Sequence, residues 1–144
     1  MNLSDLKKNL HNLLDSQELS VLATQSHNFP YTNLIAFSPI NSYKELLFAT
    51  LKTTSKYKNL KTNKNVSILF DDRKNDVSDF SKAITVTALG KAQEVDKQKY
   101  KELFLNKHPY LSDFINNPDC VLMKIIVEKY IMVEKFQNKS IIVP

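Results

Sequence analysis

The chain has 144 residues, and its 20 lysines and arginines exceed its 15 aspartates and glutamates, giving a formal net charge of +5. This length is typical of one domain, so we expect a single domain over 1–144. With one cysteine, Cys120, the chain can form neither an internal disulfide nor a cysteine-built zinc site. No apolar run is long enough to span a membrane, and the N-terminus lacks the apolar core of a signal peptide, so we expect a cytoplasmic protein.

The first predicted element is a helix that Ser4 can cap. Leu6, Leu10, Leu13 and Leu14 recur in it at helical spacing and predict one apolar face.

Six apolar, β-branched segments separated by turn residues predict strands. They cover 18–25, 31–38, 45–50, 65–72, 82–95 and 121–136, the last as one long strand or as two with a bend. Short helices are predicted over 53–62, 96–106 and 109–116. Hairpin-joined strands with few helices favour a mainly β fold, a six-stranded antiparallel barrel with short flanking helices.

Glycine is nearly absent, because Gly90 is the only one in the chain. A Rossmann fingerprint and a P-loop both need several glycines and are therefore excluded. Turns must instead use Asn, Asp, Ser and Pro.

The strongest local signal for chemistry is the junction FATLKTTSKYKNL, residues 48–60. Here a strand ends and a helix begins among hydroxyl side chains, and Lys56 follows them. Free N–H groups at a helix start, hydroxyl donors and a lysine are the components of an anion site, and a phosphate monoester would suit it. The alternative is a Ser/Thr helix cap beside solvated lysines.

Residues 29–72, FPYTNLIAFSPINSYKELLFATLKTTSKYKNLKTNKNVSILFDD, resemble the core of the pyridoxamine 5′-phosphate oxidase-like family of flavin-binding split barrels. The shared features are a Pro-initiated strand, a strand ending in Phe-x-Thr, Ser-Lys at a helix start and the VSILF strand. The segment ITVTALGKAQEV resembles the family's next strand, so the likeness covers about residues 15–95.

The resemblance implies a homodimer that holds FMN in clefts between its subunits. It places Asn33, Leu34, Ile35, Ala36 and Phe37 along the flavin. Ala49 and Thr50 would meet the ribityl-phosphate end, Ser55 and Lys56 the phosphate, and Thr85 another part of the flavin.

The chain departs from the true pyridoxamine-phosphate oxidases at several cations. Those enzymes carry an arginine where Asn33 stands, a lysine where Ser38 stands and a second basic side chain where Ser55 stands. They also end in an Arg-rich segment, whereas this chain ends in QNKSIIVP. We therefore expect an FMN-dependent oxidoreductase that acts on another small substrate or electron donor.

Two other classes of function remain open at this stage. One is a binding protein on the same scaffold that holds haem, a deazaflavin or flavin without turnover. The other is a basic nucleic-acid-binding barrel, which the net charge of +5 alone does not favour.

Several residues carry no predicted chemistry. The histidines His11, His27 and His108 lack metal-ligand spacing, so we expect surface residues and no metal site. Cys120 is expected to be a buried, inert thiol. Asp71 and Asp72 are expected to lie in a solvated turn.

Overall fold

A closed antiparallel β-barrel forms the centre of the molecule in the computed structural model, which describes residues 2–144. Its strands are β1 (Leu19–Ser26), β2 (Phe29–Ile40), β3 (Glu45–Leu51), β4 (Asn65–Asp71), β5 (Ile84–Val95) and β6 (Cys120–Glu134). They are hydrogen-bonded in the order β3-β2-β1-β4-β5-β6, and pairing of β3 with β6 closes the ring. The predicted six-stranded barrel is confirmed.

Within residues 2–144, five helices flank the barrel. They are α1 (Leu3–Ser16), α2 (Ser55–Thr62), α3 (Asp79–Lys82), α4 (Lys97–Lys107) and α5 (Ser112–Asn116), with a 3₁₀ turn at Pro109–Leu111. None of the helices within the described residues is long and apolar enough to cross a membrane.

Three details differ from the sequence expectation. Asn2 rather than Ser4 caps α1, because its side-chain oxygen accepts the N–H of Asp5 at 2.9 Å. The polar segment after β4 contains the four-residue helix α3. A seventh strand, β7 (Asn138–Ile142), pairs with the C-terminal end of β6.

Two apolar clusters stabilise this arrangement. The larger fills the barrel, and the apolar face of α1 packs against it through Leu10, Leu13 and Leu14, as predicted. The smaller lies outside the barrel, between β3, β6 and the helices α4 and α5, and contains Phe104 and Cys120. Cys120 is buried as predicted, and burial raises the pKa of its thiol.

The only glycine is required for packing between β5 and β6. The register shifts at Leu89/Gly90, and a Cβ at Gly90 would collide with the carbonyl oxygen of Ile126. Elsewhere the chain turns without glycine, for example at His27 and Asn28, which both have positive φ.

Candidate functional site

A cavity of about 220 Å³ lies on the outer surface of β2 and β3, where α4, the 3₁₀ turn and α5 cover these strands. Ile35 and Phe37 belong to the core inside the barrel, so the alternate residues Leu34 and Ala36 face outwards. The cavity is lined by Leu34, Ile35, Ala36, Ala49, Lys56, Phe104, Leu111 and Phe114. Its walls are therefore apolar, and Lys56 is the single charged residue among those of residues 2–144 that line it.

Helix α2 begins at the edge of this cavity with a threonine cap. Thr54 Oγ1 accepts the N–H of Tyr57 at 3.3 Å and forms a 2.7 Å hydrogen bond with Thr50 Oγ1. The capping alternative is therefore correct for Thr54. No acceptor within residues 2–144 takes the N–H groups of Ser55 and Lys56, which lie in the first turn of α2.

Lys56 is a half-buried cation without a carboxylate partner in the described part of the chain. Burial lowers its pKa below the ordinary lysine value, and the nearby Tyr31 opposes that shift. Because an unpaired cation is costly to bury, such a lysine at a cavity is suited to an anionic ligand. Its neighbours Lys52 and Lys58 are exposed.

The structure brings five of the ten predicted site residues together at this cavity. Leu34, Ile35 and Ala36 line it from β2, Ala49 lines it from β3, and Lys56 from α2. Residues up to 22 positions apart in sequence are therefore neighbours here.

The other predicted site residues are placed differently. Phe37 is fully buried in the core, and Thr50 is 1% exposed with its hydroxyl turned to Thr54. Asn33 has a buried side-chain oxygen without a hydrogen-bond partner, and Ser55 is exposed at the start of α2.

Thr85 lies on the far side of the barrel. It is on β5, which is opposite β2 in the closed ring of six strands. There it lines a separate groove, the β4–β5 groove, whose apolar residues include Leu69, Val77, Phe80 and Phe136. One chain therefore does not bring Thr85 and Lys56 to the same ligand.

His108 is a site-forming residue that the sequence did not predict. It is 1% exposed, so the expectation of a surface histidine was wrong, and its Nε2 lies 2.7 Å from the carbonyl oxygen of Phe37. This bond holds the turn between α4 and α5 on β2, beside the cavity. The local sequence signal at this position is the following Pro109, which predicts a turn but not the burial of His108.

The solvated turn expected at Asp71 and Asp72 is also more ordered than predicted. Asp72 Oδ1 accepts the N–H of Ile84 at 2.7 Å, and Asp71 pairs with Arg73 at 3.2 Å. Both carboxylates are partly buried because they close the loop between β4 and β5.

The residues at the cavity fit the two ends of FMN. The apolar walls suit a flat ring, and Lys56 with the free N–H groups of Ser55 and Lys56 suits a phosphate. However, about 220 Å³ is below the range of roughly 300–1,000 Å³ that is usual for ligand pockets.

Comparison with known proteins agrees with this architecture. The sequence model of the family described as pyridoxamine 5′-phosphate oxidase matches residues 6–134. Comparison with curated proteins finds no match.

Solved structures share the fold at low sequence identity. General Stress Protein 26 from Bacillus anthracis str. Sterne is 21% identical, with a TM-score of 0.73 over 96% of this chain and 98% of its own. A Clostridium acetobutylicum protein related to general stress protein 26, of the pyridoxinephosphate oxidase family, is 15% identical, with a TM-score of 0.76 over 96% of this chain and 94% of its own.

A heme binding protein from Mycobacterium smegmatis is 13% identical, with a TM-score of 0.83 over 95% of this chain. The present chain spans only 57% of that protein.

Proposed function

The chain belongs to the pyridoxamine 5′-phosphate oxidase family, and from this premise we propose that it binds FMN and acts as an oxidoreductase on a small substrate. The observation that carries the proposal is Lys56, a half-buried cation without a carboxylate partner at the edge of an apolar cavity. A flavin phosphate would pair with Lys56, and the N–H groups of Ser55 and Lys56 would donate to its oxygens. Bound flavin supplies hydride or electron transfer.

The residues of the chain would bind and orient this cofactor. Leu34, Ala36 and Ala49 give an apolar surface for the ring, and Phe104 and Phe114 exclude water from it. A ring held between rigid strands and α4 keeps a fixed orientation towards a substrate. Within the described part of the chain, Lys56 is the one acid–base residue that lines the cavity, in keeping with redox chemistry carried by the cofactor.

The position of Thr85 supports a homodimer as part of the proposal. If both Lys56 and Thr85 contact flavin, as the family resemblance implies, they come from different subunits, because they lie on opposite sides of one barrel. The small cavity volume supports the same arrangement. A second chain would complete each cleft and cover the exposed Leu34.

Oxidation of pyridoxamine phosphate is not part of the proposal. Asn33, Ser38 and Ser55 are neutral where the true oxidases have cations, and Ser38 is buried with its hydroxyl 3.4 Å from the carbonyl of Leu103. A second phosphate-bearing substrate would therefore meet little positive charge.

Haem is the alternative ligand, since one protein of the same fold is a heme binding protein. None of the described residues that line the cavity is a His, Cys, Met or Tyr, the usual axial ligands of haem. The nearby His108 uses Nε2 for the carbonyl of Phe37. These observations favour FMN over haem at this position.

The absorption spectrum of the purified protein, followed by mass measurement of the released cofactor, tests the proposal. FMN bands and the mass of FMN are expected. A Soret band would replace the proposal by haem binding, and a deazaflavin mass would replace it by a deazaflavin protein. A protein that binds no flavin at high micromolar FMN would refute it.

A further inference from the structure

The β4–β5 groove has the size and lining of a small-molecule site. Its volume is about 610 Å³, within the range of roughly 300–1,000 Å³ usual for ligand pockets. Val77, Phe80 and Phe136 line it and are 83%, 71% and 58% exposed. The rings of Phe80 and Phe136 lie with their centroids 5.7 Å apart. An exposed cluster of apolar side chains of this kind is typical of a ligand-binding or interaction surface.

Val77 and Phe80 belong to the loop between β4 and β5, which is ordered although it is exposed. The carboxylate of Asp79 accepts the backbone N–H groups of Lys74, Asn75 and Asp76 at 2.7–3.2 Å. These bonds, led by that of Lys74, lower the pKa of Asp79 below its usual range, so the carboxylate stays charged. The loop is therefore preformed and does not need a ligand to order it.

The charges around the groove are mainly negative. Asp71, Asp76 and Asp79 line it, and Arg73, the one cation among the described residues of its lining, is paired with Asp71. This is the reverse of the cavity at Lys56, where the only charge is positive. An anion is disfavoured here, whereas a neutral or cationic molecule is accepted.

We propose that the β4–β5 groove binds the substrate, and that this substrate is a flat, apolar, neutral or cationic aromatic compound rather than a phosphate ester. The assignment as substrate site rests on the proposed function, because Thr85 in the groove would then face the flavin held by the partner chain. Phe80 and Phe136 stack on the ring of the compound, and Asp71 with its neighbouring carboxylates repels anionic analogues.

Two fluorescent probes with the same ring system test this preference. N-phenyl-1-naphthylamine is neutral, and 8-anilinonaphthalene-1-sulfonate adds one negative charge. We expect Phe80→Ala and Phe136→Ala each to weaken binding of the neutral probe about tenfold and to change binding of the anionic probe little. Phe29→Ala is the matched control, because Phe29 is 76% exposed at the start of β2, outside the groove.

Asp71→Asn tests the charge separately. It leaves Arg73 without its carboxylate, so binding of the anionic probe should rise several-fold while the neutral probe is unchanged. Equal binding of the neutral probe to wild type and to both phenylalanine variants would overturn the proposal. Loss of binding of the anionic probe to Phe80→Ala and Phe136→Ala would also overturn it.

The oligomeric state and the flavin content separate this inference from the proposed function. If Phe80→Ala turns a dimer into a monomer and wild type binds no neutral probe, a second copy covers the groove and the inference is wrong. If the probes behave as expected but the protein binds no FMN, the groove is a ligand site and the proposed function fails.

Discussion

His108 and Phe37, 71 positions apart in sequence, are joined by a buried hydrogen bond of 2.7 Å between Nε2 and the carbonyl oxygen. The bond connects the turn after α4 to β2, which together form two walls of the candidate cavity. On the other side of the ring, Glu18 Oε2 lies 3.3 Å from Nδ1 but outside hydrogen-bond geometry. The bond to Phe37 is therefore the specific contact that fixes His108.

Replacing His108 by leucine should lower the free energy of unfolding by about 1–3 kcal/mol. Leucine fills most of the space but removes the bond from His108 to the carbonyl of Phe37. Urea unfolding of both proteins measures the difference. Tyr110→Phe is the control, because it removes an exposed bond to Glu18 and should change stability by about 0.5 kcal/mol or less.

If His108→Leu is as stable as wild type, the bond to Phe37 does not hold the turn. FMN binding should then also be unchanged.

Lys107, the last residue of α4, caps the C-terminal end of helix α1. Its Nζ donates to the carbonyl of Leu14 at 2.9 Å and lies 3.8 Å from the centre of the Phe37 ring. Burial lowers the pKa of Lys107 from 10.5 to about 8, although the charges of Glu18 and Asp15 oppose the shift. Between pH 8 and 10.5 the unfolded chain therefore binds more protons at this residue than the folded chain.

Stability of the wild type relative to Lys107→Met should accordingly rise as the pH increases through this window. Because the side chain is only partly buried, we expect a gain on the order of 1–2 kcal/mol. Urea unfolding of both proteins at pH 7 and pH 10 measures this gain. The other lysines are the same in both proteins, so their titration does not affect the difference in stability. A difference between the two proteins that stays constant or shrinks with pH would contradict the assignment.

Asp79 orders the loop between β4 and β5. Because its pKa is lowered in the folded state, its contribution is present at neutral pH and is lost as the pH falls through that lowered value. Asp79→Asn should mimic the acid form, and the amides of Lys74, Asn75 and Asp76 should then exchange hydrogen faster. Exchange measured by NMR or mass spectrometry reports this, with the Ile84 amide, held by Asp72, as the internal reference.

Lys56→Ala should weaken FMN binding about ten- to a hundredfold, because a charged hydrogen bond contributes roughly 1.5–3 kcal/mol. Titration of the apoprotein by flavin fluorescence measures the dissociation constant. Lys52→Ala and Lys58→Ala are the controls, since both side chains are exposed and neither lines the cavity. Equal binding by all three variants would mean that Lys56 only flanks a helix cap.

Strands such as β1 and β5 were predictable because buried and exposed side chains alternate along them. In β5, for example, Val86 and Ala88 face the core while Thr85 and Thr87 face outwards. β7 was not predicted, because only one of its five residues, Ile142, is buried and the rest carry no alternating apolar pattern. The sequence also contains no sign that Asp79 would order the preceding loop.

Part of the candidate site was predictable from local sequence, and the family resemblance added Leu34, Ile35 and Ala36 of β2. The junction of β3 and α2 places Ala49 and Lys56 together because they are close in the chain. The burial of His108 and the separation of Thr85 from Lys56 depend on how the barrel closes between β3 and β6. Those are long-range contacts that spacing along the chain does not reveal.

The most direct test of the FMN site compares FMN with riboflavin, which lacks the phosphate, on wild type and Lys56→Ala. If the start of α2 holds the phosphate, wild type binds riboflavin much more weakly than FMN, and Lys56→Ala weakens FMN but barely changes riboflavin. Equal affinity of wild type for the two flavins would contradict the account, because Lys56 and the free N–H groups of α2 would then hold no phosphate.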